Sequence, residues 1–237
     1  MGEPLPVDFI WFDLGYTLLY KERESLFARM LGRAGVERTI DEIDKAFHLT
    51  DKLFMRHFPG FLGRPAHEFM PLYFGFLCRR LDLHGDLVAL LVEWMGDWKD
   101  QGLGWEVYPC VPSVLDGLRA RGIRLGLISN WDQSARPILR ACGLLDKFDV
   151  VVISSEVGVS KPHEKIFRIA LEQACVHPSS CLYVGDNYYD DAVGAEAVGM
   201  KSLIVNRFEN LGVEELADCR IISDISGILP YLEEASC

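Results

Sequence analysis

Residues that can bind a metal ion or an anion stand at the ends of apolar, β-like runs, or in a loop that follows one. They are Asp13 in FIWFDLGYT, Ser129 and Asn130 in LISNWD, Lys161 in GVSKPHEK, and Asp186 and Asp191 in LYVGDNYYDD. Carboxylates are ligands for hard cations such as Mg²⁺, and a carboxylate can also be a nucleophile. A lysine, a hydroxyl and a backbone amide can bind the oxygens of an anion. This combination of residue types suits phosphoryl transfer.

The elements that would position these residues alternate between strand and helix. The β-like runs are 7–12, 123–128, 149–153, 181–184, 202–205 and 220–222. Helical patterns lie at 111–121, 134–142, 164–174, 191–198 and 224–234. The runs are continuously apolar, which is typical of parallel strands covered on both faces. We therefore predict an α/β fold with a doubly wound, parallel, Rossmann-like sheet, whose ligands bind beyond the carboxyl ends of the strands.

The segment between the first two strands has a different pattern. Residues 21–104 show helical stretches near 22–34, 40–56, 66–80 and 85–101 and no convincing strand. We predict a discontinuous core domain, residues 1–20 and 105–237, with an all-helical cap domain at 21–104. Three tryptophans at helical spacing, Trp94 and Trp98 in this segment and Trp105 directly after it, are expected to pack inside the cap.

Composition excludes several classes of protein. The chain has 237 residues and a formal net charge of -11, so binding to nucleic acid or to an anionic membrane is not expected. The first residues show no secretion signal, and no apolar stretch is long enough to span a bilayer. Seven scattered cysteines form no zinc pattern, and we expect mostly buried thiols in a cytoplasmic protein. The oligomeric state stays open.

The four motifs, in this order and each at or near a predicted strand end, resemble those of the haloacid dehalogenase (HAD) superfamily. A helical cap after the first motif is similar to subfamily I of that superfamily. The resemblance implies a Mg²⁺-dependent phosphatase that hydrolyses a small phosphorylated metabolite through an aspartyl-phosphate intermediate. It also implies that Asp13 is the nucleophile.

The same resemblance assigns the remaining roles. Mg²⁺ would be held by Asp13, by the backbone carbonyl of Gly15 and by Asp186, with Asp191 orienting metal-bound water. Lys161 would place a second positive charge against the transferring group. The phosphoryl oxygens would be bound by the Ser129 hydroxyl and the backbone amide of Asn130.

The first motif departs from the usual family pattern. Most family phosphatases carry a second aspartate two residues after the nucleophile as the general acid and base, and this chain has Gly15 there. General acid–base help typically contributes about 10²–10⁴-fold in rate. Asp132 or a cap residue could replace the missing acid. Two alternatives follow: a 2-haloacid dehalogenase, which uses the same nucleophile without a metal, and a feebly active binding or regulatory protein.

Overall fold

The computed structural model describes residues 7–64, 66–100, 104–216 and 219–234. Contacts between Cα atoms divide the chain into two compact units, Met1–Tyr20 with Trp105–Cys237, and Lys21–Gly104. The strands are β1 (Phe9–Phe12), β2 (Leu19–Tyr20), β3 (Glu106–Val107), β4 (Arg124–Ser129), β5 (Val150–Ile153), β6 (Cys181–Gly185), β7 (Lys201–Val205) and β8 (Ile221–Ile222). The helices are α1 (Arg23–Arg33), α2 (Ile40–His57), α3 (Ala66–Arg80), α4 (Leu87–Asp100), α5 (Val111–Ala120), α6 (Ala135–Ala141), α7 (Ser154–Val157), α8 (Glu164–Ala174), α9 (Ala192–Ala197) and α10 (Ile228–Glu234).

Six strands form one parallel sheet in the order β5-β4-β1-β6-β7-β8. The chain fills one side of β1 with β4 and β5, and then crosses to the other side with β6, β7 and β8. Strand β1 therefore lies at the point where the strand order switches, which is where open α/β sheets bind their ligands. The predicted doubly wound parallel sheet is confirmed.

Both faces of this sheet are buried, as the unbroken apolar runs indicate. In β1, Ile10 and Phe12 point into one hydrophobic cluster and Phe9 and Trp11 point into the other. All four side chains have no exposed surface. Because successive side chains of a strand point to opposite faces, a strand covered on both sides has to be apolar at every position. The first polar residue after β1, Asp13, therefore stands out.

The unit Lys21–Gly104 is built by helices α1 to α4 around its own apolar cluster. Trp94 is 1% exposed. The centroid of its ring lies 5.0 Å from that of the Phe27 ring and 6.1 Å from that of the Phe47 ring. Helix α2 begins at a capping box, in which Thr39 accepts a hydrogen bond from Glu42 N while the Glu42 carboxylate accepts one from Thr39 N. This unit therefore has an internal core and a defined helix start of its own.

Three short elements lie outside the predicted pattern. Strands β2 and β3 form a two-stranded antiparallel pair, in which Leu19 faces Val107. Each strand has only two residues, too few to show an alternating or continuous apolar pattern. Helix α7 is likewise a single turn after β5. The pair brings the chain just before residue 21 next to the chain just after residue 104.

No helix in the described part of the chain is long and apolar enough to cross a bilayer. The six cysteines within the described ranges are free thiols, and only Cys78 and Cys181 are buried. The expectation that most thiols are buried is therefore wrong, because three of the others lie at the edges of elements with partial exposure and Cys175 is exposed. Cys237 lies outside the described residues.

Candidate active site

The three central strands of the sheet place predicted site residues side by side. Asp13 follows β1, Ser129 ends β4 and Gly185 ends β6. Strand β1 is paired with both of the other strands, and the backbone N–H of Asp13 donates to the carbonyl of Val184 at 2.9 Å. The Ser129 hydroxyl donates to Asp13 Oδ1 at 3.1 Å. Segments more than a hundred residues apart in the sequence thus meet at the carboxyl ends of these neighbouring strands.

Lys161 joins this group from the loop after α7. Its ammonium donates to Asp13 Oδ1 at 2.7 Å, to Asp191 Oδ1 at 2.5 Å and to the Tyr183 hydroxyl at 2.9 Å. The residue is 4% exposed, so these three acceptors replace most of the water that a lysine normally binds. An ammonium has three N–H donors, and each of them has an acceptor here.

Asn130 fixes the backbone that carries this lysine. Its side-chain amide donates to Lys161 O at 3.0 Å, and its Oδ1 accepts from Lys161 N at 2.8 Å. The expected role of Asn130 involves only its backbone amide. The structure shows that the Asn130 side chain also hydrogen-bonds the Lys161 backbone. These two bonds hold the Lys161 loop next to the end of β4.

Three carboxylates lie together around this lysine. The carboxylates belong to Asp13, Asp186 and Asp191. Each has one oxygen that lies within 4.8 Å of one oxygen of each of the other two. Three negative charges against the single ammonium of Lys161 leave the group net negative. Oxygen ligands of this kind and charge fit a hard divalent cation such as Mg²⁺. The residues present therefore fit the predicted metal.

Burial and charge act in opposite directions on the two central groups. Burial raises the pKa of Asp13, Lys161 opposes this shift, and the Asp191 carboxylate adds to it. Burial would lower the pKa of Lys161, but Asp13 and Asp191 raise it well above its usual value. Lys161 is therefore a permanent cation. A further cation near Asp13 would favour its ionised form.

Asp191 is held by both of its oxygens. Oδ1 accepts from Lys161, and Oδ2 accepts from the backbone N–H of Asn187 at 3.0 Å. The carboxylate packs directly over Gly185, where a Cβ atom would lie 2.1 Å from Asp191 Oδ2. Glycine is therefore needed before Asp186 for steric reasons, since any side chain would displace the Asp191 carboxylate.

Replacing this glycine gives a first prediction. Gly185→Ala should lower the free energy of unfolding by about 1–3 kcal/mol, because the added methyl group overpacks a buried carboxylate. It should also weaken Mg²⁺ binding measured by titration calorimetry. Gly117→Ala is the matched control, since its Cβ would lie 3.9 Å from the nearest atom, in helix α5, where alanine is favoured. Equal urea midpoints for the two variants would contradict the steric role of Gly185.

Asp190, the neighbour of Asp191, is not one of the three clustered carboxylates. Its Oδ2 accepts from the Asn187 side chain at 2.9 Å, and its Oδ1 has no hydrogen-bond partner within the described residues. Burial and the nearby Asp191 raise the pKa of Asp190 to about 7. Between the two acidic residues of this motif, the structure thus places Asp191 with the lysine.

Tyr183 is a site residue that the sequence analysis missed. Its hydroxyl accepts from Lys161, donates to the carbonyl of Ile128 at 2.9 Å and lies 3.2 Å from Asp191 Oδ1. The side chain is fully buried under the lysine. A tyrosine inside an otherwise aliphatic strand was the available signal, because a buried hydroxyl needs a hydrogen-bond partner.

Removing that hydroxyl gives a second prediction. Tyr183→Phe should lower the free energy of unfolding by about 1–3 kcal/mol, because Lys161 and the Ile128 carbonyl each lose a buried partner. Urea unfolding measures the change. Tyr20→Phe is the matched control, since the Tyr20 hydroxyl bonds Glu106 at an exposed position. A loss for Tyr183→Phe no larger than for this control would show that the hydroxyl is not needed by the buried lysine.

Aromatic side chains cover the position of the missing acid. A Cβ atom on Gly15 would lie 3.3 Å from the Trp131 ring and 3.7 Å from the Trp105 ring. The prediction that Trp105 packs inside the cap is wrong: Trp105 belongs to the unit with the sheet, where its ring lies 4.8 Å from that of Trp131. It comes after the helical segment and beside β3, so its spacing from Trp94 is accidental. The side chain of Trp98 lies outside the described residues.

Asp132 is poorly suited to replace the acid. Its Oδ1 accepts from Ser134 N at 2.8 Å and from Ser134 Oγ at 2.5 Å. These hydrogen bonds lower the pKa of Asp132, so the carboxyl group stays ionised and has no proton to give near neutral pH.

A parallel α/β sheet with a carboxylate cluster at the carboxyl ends of its strands agrees with the resemblance to the haloacid dehalogenase superfamily. The haloacid dehalogenase-like hydrolase model matches residues 27–199, and the chain belongs to this family. The Danio rerio haloacid dehalogenase-like hydrolase domain-containing protein 3 is 32% identical over 213 residues, which cover 86% of each chain. The alignment with the Mus musculus protein of the same name covers only 53% of that relative, so the chain spans about half its length.

Two further similarities concern proteins described as phosphatases. The glyceraldehyde 3-phosphate phosphatase of Pyrococcus abyssi is 31% identical over 204 residues, covering 83% of this chain and 80% of that relative. The crystal structure of a HAD phosphatase from Thermococcus onnurineus is 26% identical with a TM-score of 0.58, covering 95% of this chain and 97% of that one.

Proposed function

We propose that this hydrolase is a Mg²⁺-dependent phosphatase that acts on a small phosphorylated metabolite through a phosphorylated Asp13. The observation that carries the proposal is the shared contact of Lys161 with Asp13 and Asp191, in a group of three carboxylates that fits one divalent cation. The names of the Pyrococcus abyssi relative and of the Thermococcus onnurineus structure support a phosphatase.

The protein's own residues divide the chemistry between them. An ionised Asp13 attacks phosphorus, so that a bond from its carboxylate oxygen to phosphorus forms while the bond to the leaving oxygen breaks. The hydroxyl of Ser129 and the ammonium of Lys161 both hydrogen-bond Asp13 Oδ1, and when substrate binds they would exchange such contacts for oxygens of the transferring group. Water then attacks the phosphoryl group, which returns Asp13 and releases phosphate.

Asp13, the Gly15 carbonyl, Asp186 and Asp191 are the groups that would hold the metal directly or through its water. When bound, Mg²⁺ supplies positive charge that offsets the repulsion between the carboxylates and an anionic substrate. Lys161 alone cannot supply it, because its single charge already faces two carboxylates. We also propose that the helical unit 21–104 acts as the cap that selects the substrate.

Glycine at position 15 predicts a rate that depends on the leaving group. Asp132 is held ionised, and Gly15 offers no carboxyl group to protonate the departing oxygen. Acyl phosphates, whose leaving group needs no proton, should therefore be hydrolysed faster than alkyl phosphates, by about 10²–10⁴-fold. Initial rates on acetyl phosphate and on an alkyl phosphate such as glycerol phosphate, corrected for spontaneous hydrolysis, measure the ratio. A ratio near one would show that another group supplies the proton.

The proposed function is tested by phosphate release from acetyl phosphate with Mg²⁺ and with EDTA. We expect turnover that needs the metal and stops in Asp13→Asn. Chloride release from 2-chloropropionate in EDTA, without phosphate release in Mg²⁺, would instead establish a dehalogenase. If wild type and Asp13→Asn both show only background rates while the metal still binds, the protein is a binding module.

A further inference from the structure

Three aromatic side chains form a cluster beside Gly15, within the same compact unit as the nucleophile. Trp105 lies 4.8 Å from Trp131 and 5.6 Å from Tyr16 between ring centroids. All three residues are partly exposed, so part of the cluster's surface remains accessible. We call Tyr16, Trp105 and Trp131 the aromatic cluster.

Hydrogen bonds hold both the ring and the backbone of Trp131. Its indole N–H donates to Ser134 Oγ at 3.0 Å, and its backbone N–H donates to Ser154 Oγ at 3.0 Å. The Ser154 hydroxyl in turn donates to Trp131 O at 3.2 Å. A ring that is oriented before a ligand arrives loses little conformational entropy on binding.

The position of the cluster connects it with the leaving group. The residue two places after the nucleophile is Gly15, and a side chain there would point at Trp131 and Trp105. A polar acid is thus replaced at this place by two indole rings. An alkyl leaving group would find no carboxyl group at position 15 to protonate it, whereas a flat, apolar group would find aromatic rings on which it can stack.

We propose that the aromatic cluster is a binding subsite for a planar, apolar leaving group, so that the substrate is the phosphate ester of an aryl or enol-type hydroxyl. This inference rests on the proposed phosphatase function. The bond between phosphorus and the aryl oxygen breaks with its electron pair on that oxygen, and the new bond forms to an Asp13 carboxylate oxygen. The departing aryloxide takes its proton from water afterwards, so no acid is needed at position 15.

Stacking one aromatic ring on the cluster should give a measurable preference. Burial of a phenyl-sized apolar group is expected to tighten binding by about tenfold or more. Phenylphosphonate and methylphosphonate are the probes, because their carbon–phosphorus bonds are not broken in this reaction. In the presence of Mg²⁺, we expect phenylphosphonate to bind wild-type protein at least about tenfold more tightly than methylphosphonate.

Variants then assign the preference to the cluster. Trp131→Ala should bring the two dissociation constants to within about threefold, and Trp131→Phe, which keeps a flat ring, should retain most of the difference. Titration calorimetry gives the constants, and circular dichroism checks that each variant is folded. Trp105→Leu is the second variant if Trp131→Ala does not fold, and it should also reduce the ratio.

The outcomes separate this inference from the proposed function. Equal binding of both phosphonates to the wild type would overturn the subsite while leaving the phosphatase in place. A preference that survives in folded Trp131→Ala, or in Trp105→Leu if Trp131→Ala does not fold, would assign it elsewhere and equally overturn the inference. Binding of neither phosphonate would overturn it too, and Mg²⁺-dependent phosphate release from acetyl phosphate, which has no ring, would then decide the proposed function by itself.

Discussion

Asp13→Asn should reduce Mg²⁺-dependent phosphate release by about 10⁴-fold or more, because no other group takes over the bond to phosphorus. An amide has nearly the shape of the carboxylate, so the Ser129 and Lys161 hydrogen bonds to position 13 can persist. The loss should therefore appear in kcat, with KM changed much less. Steady-state rates on acetyl phosphate measure both.

The control for this substitution is Asp116→Asn, the same chemical change at an exposed ion pair with Lys147. It should leave kcat unchanged. A value of kcat for Asp13→Asn within about tenfold of the wild type would be incompatible with a covalent role, since even the loss of a general acid or base typically costs about 10²–10⁴-fold. A rate that persists equally in every variant would point to a contaminating phosphatase.

Lys161→Met should have the largest effect on stability. The substitution keeps most of the side-chain volume but leaves Asp13 and Asp191 facing each other without their shared cation. Removing one partner of a buried ion pair typically lowers the free energy of unfolding by about 3–5 kcal/mol. Urea unfolding without metal measures the loss, and phosphate release should fall with it.

Mg²⁺ should restore part of this stability, because a divalent cation bound only by the folded state shifts the unfolding equilibrium. Lys147→Met is the matched control, a partly exposed lysine paired with Asp116 at 2.6 Å, where a loss of at most about 1 kcal/mol is expected. If Lys161→Met were no less stable than Lys147→Met, the three carboxylates would not depend on the buried ammonium, and the electrostatic description of the site would be wrong.

Much of the sheet, and the residues at the carboxyl ends of its strands, could be predicted because buried strands are apolar in the sequence. Strand β1 lies at the centre of the sheet and is covered on both faces, so Asp13 is its first polar side chain. The short strands β2 and β3 show no such pattern, because their position depends on pairing across the whole helical segment. The apolar pattern of a short stretch of sequence indicates whether that stretch is buried. It does not indicate which distant segments pair with each other.

The same reason explains the site residues that were missed or misplaced. Tyr183 is read from the sequence as one more apolar strand residue, and only the fold shows its hydroxyl under Lys161. Trp105 matches the helical spacing of Trp94, but it lies beside Gly15 because the chain re-enters the other unit there. The catalytic, phosphate-binding and metal-binding roles all stay predictions, for Asp13, Gly15, Ser129, Asn130, Lys161, Asp186 and Asp191.

The most direct test of a shared metal and phosphoryl site is a crystal structure grown with Mn²⁺ and orthovanadate. Manganese gives an anomalous signal, and vanadate takes the place of the transferring phosphoryl group. We predict one manganese peak bound by Asp13 and Asp186, with vanadium next to an Asp13 oxygen and its oxygens within hydrogen-bond distance of Lys161 and Ser129. A structure with ordered carboxylates, saturating manganese and no peak between them, or with vanadate bound elsewhere, would contradict the proposed site.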